Sequence, residues 1–149
     1  MNFYVMTLFP QMVMSGLNSS IMGRAIDNGL IHIEAVNIRN YAFNKHNKVD
    51  DYIYGGGAGM LMQAEPVYLC YKAIVAKILG IDETLLEINA CEMTEGEMNS
   101  AKQRIEAVDL SNLDCNIPLV YLTPQGRTFK QEIAKEYANE QNVIFLCGD

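Results

Sequence analysis

The chain of 149 residues has no tryptophan, only four prolines and only two histidines, and charged residues make up just 19% of it. Half of its residues are apolar, which excludes intrinsic disorder as the main state. No lysine or arginine precedes the first apolar stretch, and polar residues interrupt the stretch up to Gly23. The N-terminus therefore predicts neither a signal peptide nor a membrane span.

Cysteines are few and widely spaced, and no Cys-x-x-Cys pair occurs. Two histidines are too few to complete a zinc site with such cysteines, so we expect no metal. A chain of this size with an ordinary apolar core needs no disulfide bonds, and reduced thiols indicate a cytoplasmic protein. The residues concerned are Cys70, Cys91, Cys115, Cys147, His32 and His46.

The net charge of −7 argues at first against a nucleic-acid partner, because phosphates bind to positive surfaces. However, the segment from Asp82 to Asp114 contains nine acidic and two basic residues, and the rest of the chain contains nine of each. The negative charge thus belongs to one segment, and the remaining surface can still present a basic face to RNA. We expect this acidic segment to form one or two helices with solvent-facing carboxylates, with possible breaks at Gly96 and Asn99.

Strand and helix patterns alternate along the chain, and this order predicts an α/β fold with a mostly parallel sheet flanked by helices. The irregular stretch 37–59 predicts a long functional loop, and a chain that stops directly after a buried strand looks truncated. The predicted strands are Phe3–Leu8, Leu30–Val36, Leu119–Leu122 and Val143–Cys147, and the predicted helices are Gln11–Leu17, Ser20–Ile26, Val67–Leu79 and Gln131–Glu140.

Two strand ends predict a ligand crevice, because ligands of open α/β sheets bind at the carboxyl edge of the strands. One end is the segment from Tyr121 to Arg127, in which Pro124 fixes the loop and Gly126 permits close backbone approach; an ordinary turn is the alternative. The other end is Cys147-Gly148. We favour Cys147 as a small buried hydrophobic residue over a nucleophile, and Gly148 as a point of close ligand approach.

The segment from His46 to Met60 combines cations, tyrosines and glycines, a mixture that RNA contacts use. It lacks the lysine and hydroxyl of a phosphate-binding P-loop, so a generic nucleotide-binding domain is disfavoured. The alternative is a flexible loop in which Asp50 and Asp51 pair with the neighbouring cations. Arg24, alone on an apolar helix, fits a structural clamp onto a carboxylate better than a substrate contact.

At these residues the sequence resembles the bacterial tRNA (guanine-N1)-methyltransferase family, the TrmD group of SPOUT methyltransferases. The resemblance rests on segments that occur in the family's order along nearly the whole chain. They are Leu8-Phe9-Pro10, Gly23-Arg24-Ala25, Asn28-Gly29-Leu30, Val49-Asp50-Asp51, Tyr54-Gly55-Gly56-Gly57, Gly59-Met60, Leu122 to Arg127 and Cys147-Gly148.

The resemblance implies a trefoil-knot fold that ends here before the knot is completed. It implies the N-terminal part of the methyltransferase domain over residues 1–149, an acidic insertion at about 80–117, and no C-terminal tRNA-binding domain. It also implies transfer of a methyl group from S-adenosyl-L-methionine to N1 of the tRNA guanine 3′ of the anticodon, by a cytoplasmic homodimer. A non-catalytic binding or dimerisation module is the alternative.

By the same resemblance, Tyr121, Leu122, Thr123, Pro124, Gly126 and Gly148 bind the cofactor. A second set of residues is implied near the RNA: Arg24, His46, Asp50, Tyr54, Gly55, Gly56, Gly57 and Gly59. No residue of the chain is the implied base, which lies beyond Asp149, so the chain alone is expected to be inactive.

Overall fold

A computed structural model describes residues 1–111 and 116–148 of the chain. Asp114, Cys115 and Asp149, which figure in the sequence predictions, lie outside the described residues. The chain divides into two compact units, one formed by residues 1–36 and 115–148 and the other by residues 37–114.

The first unit contains a four-stranded sheet in the order β2-β1-β6-β5. Strand β6 pairs in parallel with both β1 and β5, as the alternating order of strands and helices predicted. The strands are β1 (Asn2–Thr7), β2 (His32–Asn37), β5 (Leu119–Tyr121) and β6 (Asn142–Leu146), and the helices are α1 (Pro10–Leu17), α2 (Ser20–Asp27) and α5 (Gln131–Tyr137). All four predicted strands are thus confirmed to within two residues at each end.

The core of the first unit consists of apolar side chains from all four strands. In β1 the last four residues are buried, and Val143 and Ile144 of β6 are fully inaccessible. This double-sided burial explains why the two strands are continuous apolar runs in the sequence.

The second unit is built around α3 (Ala64–Ile78), which packs against short 3₁₀ helices and α4 (Glu95–Glu106). The 3₁₀ helices span Ile38–Tyr41, Glu83–Glu87 and Ala90–Glu92. The helix α3 begins three residues before its predicted start, with Pro66 in the first turn, where a proline is tolerated.

The stretch 37–59 is not the featureless loop that the sequence predicted. A 3₁₀ helix opens it, and β3 (Asp50–Tyr52) pairs antiparallel with β4 (Met60–Met62), so that residues 53–59 form the tip of a hairpin. The sequences of β3 and β4 show no alternation of apolar and polar side chains, the pattern on which strand prediction depends.

The described part of the acidic segment folds as two 3₁₀ helices and α4, and its carboxylates face solvent as predicted, apart from that of half-buried Asp82. The expected breaks at Gly96 and Asn99 are wrong, because both residues lie inside α4. Thr94 and Glu97 form a reciprocal capping box that starts the helix just before Gly96. Ala101 and Ile105 are buried and hold the following turns in place, which outweighs the low helix propensity of one exposed glycine.

Candidate functional site

The two predicted strand ends lie side by side at one edge of the sheet. Strands β5 and β6 are parallel, and Tyr121 is paired with Leu146. The loop after β5 and the segment Cys147-Gly148 after β6 therefore leave the sheet next to each other. The amide of Cys147 donates to the carbonyl of Met6 at 2.9 Å, which ties this end to β1.

Gly148 lies directly against the aromatic ring of Tyr121. A Cβ atom at Gly148 would lie 3.0 Å from both Cε2 and the hydroxyl oxygen of Tyr121, tighter than ordinary van der Waals contact. Glycine is thus the residue that lets the end of β6 approach this ring. The tyrosine ring is itself 55% exposed and forms one wall of the crevice.

The loop from Thr123 to Gly126 is a compact turn. The amide of Gly126 donates to the carbonyl of Thr123 at 3.0 Å, and the amide of Gln125 donates to the hydroxyl of Thr123 at 3.3 Å. Pro124 occupies the position of a β-turn that proline favours. A Cβ atom at Gly126 would lie 3.2 Å from the carbonyl oxygen of Thr123, so a glycine suits this closed geometry.

A cavity of about 200 Å³ opens between this turn, β5 and α5. Its lining mixes loop residues with an aromatic pair, Phe129 and Tyr137, whose ring centroids are 6.4 Å apart. Sequence reasoning missed Phe129, Ile133 and Tyr137. The spacing of four residues places Ile133 and Tyr137 on one face of α5, whereas Phe129 lies before this helix and carries no such signal.

The chemical types of the lining side chains suit S-adenosylmethionine, because aromatic and aliphatic side chains can contact an adenine ring and Thr123 offers a hydroxyl. The volume is below the roughly 300–1,000 Å³ of pockets that enclose a drug-sized ligand.

Cys147 is exposed, so the interpretation as a buried hydrophobic residue is wrong. It lies one residue beyond β6, where the chain has left the sheet. Its side chain borders a second, apolar cavity of about 460 Å³ in the same unit, together with Phe3, Phe145 and residues of α1. By contrast, Cys70 is buried in α3, and burial raises the pKa of its thiol.

Arg24 lies on the exposed side of α2. Among the described residues, no carboxylate lies within ion-pair distance of its guanidinium. The structure thus gives no support to the clamp interpretation, and the side chain is accessible to a ligand.

In the second unit, a hydrogen-bond network shapes the chain before the hairpin. The side-chain oxygen of Asn44 accepts from the amides of His46 and Lys48, and its nitrogen donates to the carbonyl of Lys48. Asn47, with a positive φ of 47°, donates to the carbonyl of Ala42 and accepts from Arg39. These asparagines therefore hold His46 and Lys48 exposed on a defined turn.

The hairpin tip presents the remaining predicted RNA residues. Tyr54 is 99% exposed, and Gly55, Gly56 and Gly59 have φ values of 93°, 69° and 119°, a region that glycine adopts readily. Gly57 lies between them, and Asp50 begins β3. Asp50 and Asp51 form no ion pair with Lys45 or Lys48 among the described residues, so the predicted pairing with cations is not found.

The two sets of predicted residues thus occupy different units. Tyr121 to Gly126 and Gly148 lie at the ends of β5 and β6 in the first unit, which also contains Arg24. His46 and residues 50–59 lie on one hairpin and its preceding turn in the second unit. Over residues 1–111 and 116–148, no group of three or more histidine, cysteine, aspartate and glutamate side chains is placed to hold a metal ion. In those same residues no helix has the length and apolarity needed to cross a membrane.

Comparison with known proteins gives concordant matches. Residues 1–98 match the family model described as "tRNA (Guanine-1)-methyltransferase TrmD". The tRNA (guanine-N(1)-)-methyltransferases of Lachnoclostridium phytofermentans and Lachnospira eligens are 40% and 43% identical to this chain over 148 residues. Each alignment includes 99% of this chain and 50% or 48% of the relative, so the chain spans about half the length of the curated relatives it matches.

Among solved structures, the chain is similar to the one titled "Crystal structure of tRNA (m1G37) methyltransferase from Aquifex aeolicus". The TM-score is 0.65 at 20% sequence identity, over 99% of this chain and 50% of the other. This similarity shows that the chain has the fold of the corresponding half of that structure.

Proposed function

The chain belongs to the tRNA (guanine-1)-methyltransferase TrmD family, and from this premise we propose that it carries the cofactor-binding part of a tRNA methyltransferase. The reaction is the transfer of a methyl group from S-adenosyl-L-methionine to N1 of the guanine 3′ of the anticodon. The observation that carries the proposal is the crevice in which Gly148 meets Tyr121 beside the closed turn Thr123–Gly126.

In this proposal the cofactor residues are those of the crevice. Tyr121 and Leu122 form the wall next to the adenosine, and Thr123 contributes its hydroxyl at the mouth of the cavity. Pro124 and Gly126 keep the turn compact, and Gly148 lets the end of β6 approach the ring of Tyr121. Because the turn is hydrogen-bonded before any ligand binds, little conformational entropy is lost on binding.

S-adenosylmethionine supplies an electrophilic methyl group on its sulfonium. Guanine N1 carries a proton that must leave as the methyl group is transferred, so the reaction needs a base aligned with the cofactor. Within residues 1–111 and 116–148, no carboxylate or imidazole lines the cavity beside Tyr121. We therefore assign to this chain the orientation of the cofactor, and place the base outside the residues of this chain.

The tRNA side of the proposal rests on the exposed residues of both units. His46, Tyr54, Asp50 and the glycines 55, 56, 57 and 59 form a hairpin and turn with cationic, aromatic and flexible elements. Arg24 provides a free guanidinium for a phosphate. Exposed aromatic rings such as that of Tyr54 are suited to stack on unpaired bases, which dominate the recognition of single-stranded RNA.

We further propose that the chain acts as a homodimer in the cytoplasm. Five large apolar side chains of the first unit are between 59% and 73% exposed, namely Phe9, Met12, Ile21, Leu30 and Leu122. Exposed apolar surface of this kind favours association. The free thiols of Cys70, Cys91 and Cys147 suit a reducing compartment.

The test is a methyl-transfer assay with unmodified tRNA, S-adenosylmethionine and nucleoside analysis for 1-methylguanosine. Two proteins are compared: this chain, and a fusion of this chain to the half of the Lachnoclostridium phytofermentans relative that it does not span. We expect product from the fusion only. Product from the chain alone would refute the placement of the base.

If the fusion is inactive, binding of S-adenosylmethionine to the unfused chain is measured by calorimetry. If neither product nor S-adenosylmethionine binding is found, the proposed function is wrong. If the fusion is active, Gly148→Ala in the fusion should raise the KM for S-adenosylmethionine about tenfold and leave the KM for tRNA unchanged.

A further inference from the structure

A third cavity, of about 340 Å³, lies within the second unit and takes no part in the cofactor crevice. One wall is the turn that precedes the hairpin, and the other is the first half of α4. Six residues line it: Phe43, Asn44, Lys45, Glu95, Met98 and Asn99. The volume is close to the lower limit for ligand pockets, which suits a ligand of one nucleotide rather than a helix.

The turn wall has a fixed shape. Asn44 makes three hydrogen bonds to residues 46 and 48, and the ring of Phe43 packs edge-on against buried Tyr41 at a centroid distance of 6.5 Å. The half-buried ring of Phe43 is thereby held at the cavity, as a surface on which a planar base can stack.

The helix wall presents three side chains from one face of α4. Glu95, Met98 and Asn99 are spaced by three and four residues, so they project in the same direction. The capping box fixes the first turn of α4, and in it the carboxylate of Glu97 accepts a hydrogen bond from the amide of Thr94. Glu95 and Asn99 form no ion pair or side-chain hydrogen bond among the described residues, so their polar atoms are available to a ligand.

Opposite charges lie on the two walls without pairing. Lys45 is exposed on the turn and Glu95 is exposed on the helix, and within residues 1–111 and 116–148 neither has an ion-pair partner. A ligand that suits both must carry a negative group at one end and N–H donors at the other. A guanine nucleotide has these features, because its N1–H and N2–H groups can donate together to one carboxylate.

We propose that this cavity is a subsite for one guanine nucleotide of the RNA substrate. The base stacks between Phe43 and Met98, its Watson–Crick edge donates to Glu95, Asn99 contacts its O6, and the phosphate meets Lys45. The inference rests on the proposed function for the identity of the ligand as RNA. The subsite gives the acidic segment a role in base recognition, although the negative charge of the segment by itself argues against RNA binding.

The direction in which Glu95→Gln changes nucleotide affinity distinguishes this role from simple charge repulsion. If Glu95 only repels phosphates, Glu95→Gln should tighten nucleotide binding, as removal of any nearby carboxylate does. If Glu95 accepts from guanine, the substitution replaces one acceptor oxygen with a donor, and guanine binding should weaken about tenfold, as for the loss of a charge-assisted hydrogen bond. Glu92→Gln is the matched control, since Glu92 is an exposed carboxylate of the same segment outside the cavity.

The experiment is a titration of the isotope-labelled chain with guanosine 5′-monophosphate, read from backbone amide NMR signals. We expect saturable shifts at residues 43–45 and 95–99, much smaller shifts with uridine 5′-monophosphate, and weaker guanine binding in Glu95→Gln but not in Glu92→Gln. Lys45→Ala should weaken binding of the monophosphate and not of guanosine. Equal shifts with both nucleotides, shifts outside the cavity only, or tighter binding in Glu95→Gln would overturn the proposal.

An anticodon stem-loop RNA in the same titration identifies the source of the nucleotide. Displacement of guanosine 5′-monophosphate from these amides supports RNA, and binding without displacement refutes the RNA assignment. The outcome is independent of the cofactor crevice. A chain that binds S-adenosylmethionine but shows no shift at this cavity retains the proposed function and loses the subsite. A chain that shows the shifts but does not bind S-adenosylmethionine retains the subsite and loses the proposed function.

Discussion

The backbone of Gly148 lies so close to the ring of Tyr121 that a Cβ atom would be 3.0 Å from both Cε2 and the hydroxyl oxygen. These residues are 27 positions apart, and the parallel pairing of β5 with β6 brings them together. The contact joins the two halves of the crevice, and its disturbance should reveal what the crevice binds.

Gly148→Ala should displace the exposed ring of Tyr121 rather than unfold the chain. We expect the affinity for S-adenosylmethionine to fall at least tenfold, while the free energy of unfolding changes by less than about 1 kcal/mol. Calorimetric titration and urea unfolding measure the two quantities. Gly16→Ala is the control, because a Cβ atom at Gly16 meets nothing within 4 Å; if both variants bind equally well, Gly148 has no role in the cofactor site.

Gly23→Ala should destabilise the first unit. Gly23 is buried in α2, and a Cβ atom there would lie 2.8 Å from the backbone oxygen of Asn18, in the link between α1 and α2. Backbone cannot move aside as a flexible side chain can, so we expect a loss of about 1–3 kcal/mol. Urea unfolding should show the opposite sign for Gly16→Ala, which gains helix propensity. A Gly23→Ala variant as stable as the wild type would contradict this packing.

Asp82 should contribute stability that is lost in acid. Hydrogen bonds from Thr84 and then from Arg104 lower the pKa of Asp82 from its ordinary value of 3.8. Because the folded-state pKa is the lower one, the contribution is complete above pH 3.8 and disappears as the pH falls through the folded-state value. Asp82→Asn should thus be less stable than wild type at pH 7, with a smaller difference at pH 3, in urea unfolding at both pH values. A difference that does not depend on pH would refute the linkage.

The thiols should differ in reactivity as their exposure differs. Cys91 and Cys147 are exposed, whereas Cys70 is fully buried with a raised pKa. Brief treatment with iodoacetamide should alkylate Cys91 and Cys147, and Cys70 only after unfolding, as read by peptide mass spectrometry. Alkylation of Cys70 in the folded chain at the rate of Cys91 would contradict the burial of Cys70.

The sequence predicts the sheet better than it predicts the second unit. The strands β1 and β6 are continuous apolar runs because the sheet covers both of their faces, and such runs are readable without a structure. The short pairing of β3 with β4 depends on the hairpin rather than on local pattern, and no alternation in the sequence marks it. Local sequence pattern also fails for α4. Gly96 and Asn99 suggest helix breaks, but the burial of Ala101 and Ile105 stabilises the helix through both positions.

The crevice itself was predictable from topology, whereas its aromatic wall was not. Parallel strands must end at the same edge, so Tyr121 and Gly148 could be placed together before any coordinates. Phe129 lies in a segment without regular structure just before α5, and only the folded chain brings it against Tyr137. The exposure of Cys147 could not be predicted either, because it depends on where β6 ends.

The most direct measurement is calorimetric titration of this chain with S-adenosylmethionine, with adenosine triphosphate titrated under identical conditions. A cofactor crevice without a phosphate-binding loop should bind S-adenosylmethionine saturably at one site per chain and should not bind the triphosphate. Gly148→Ala should weaken the binding, and Gly16→Ala should not. No binding of S-adenosylmethionine, or equal binding of both compounds, would contradict the assignment of Tyr121 to Gly126 and Gly148 as the cofactor site.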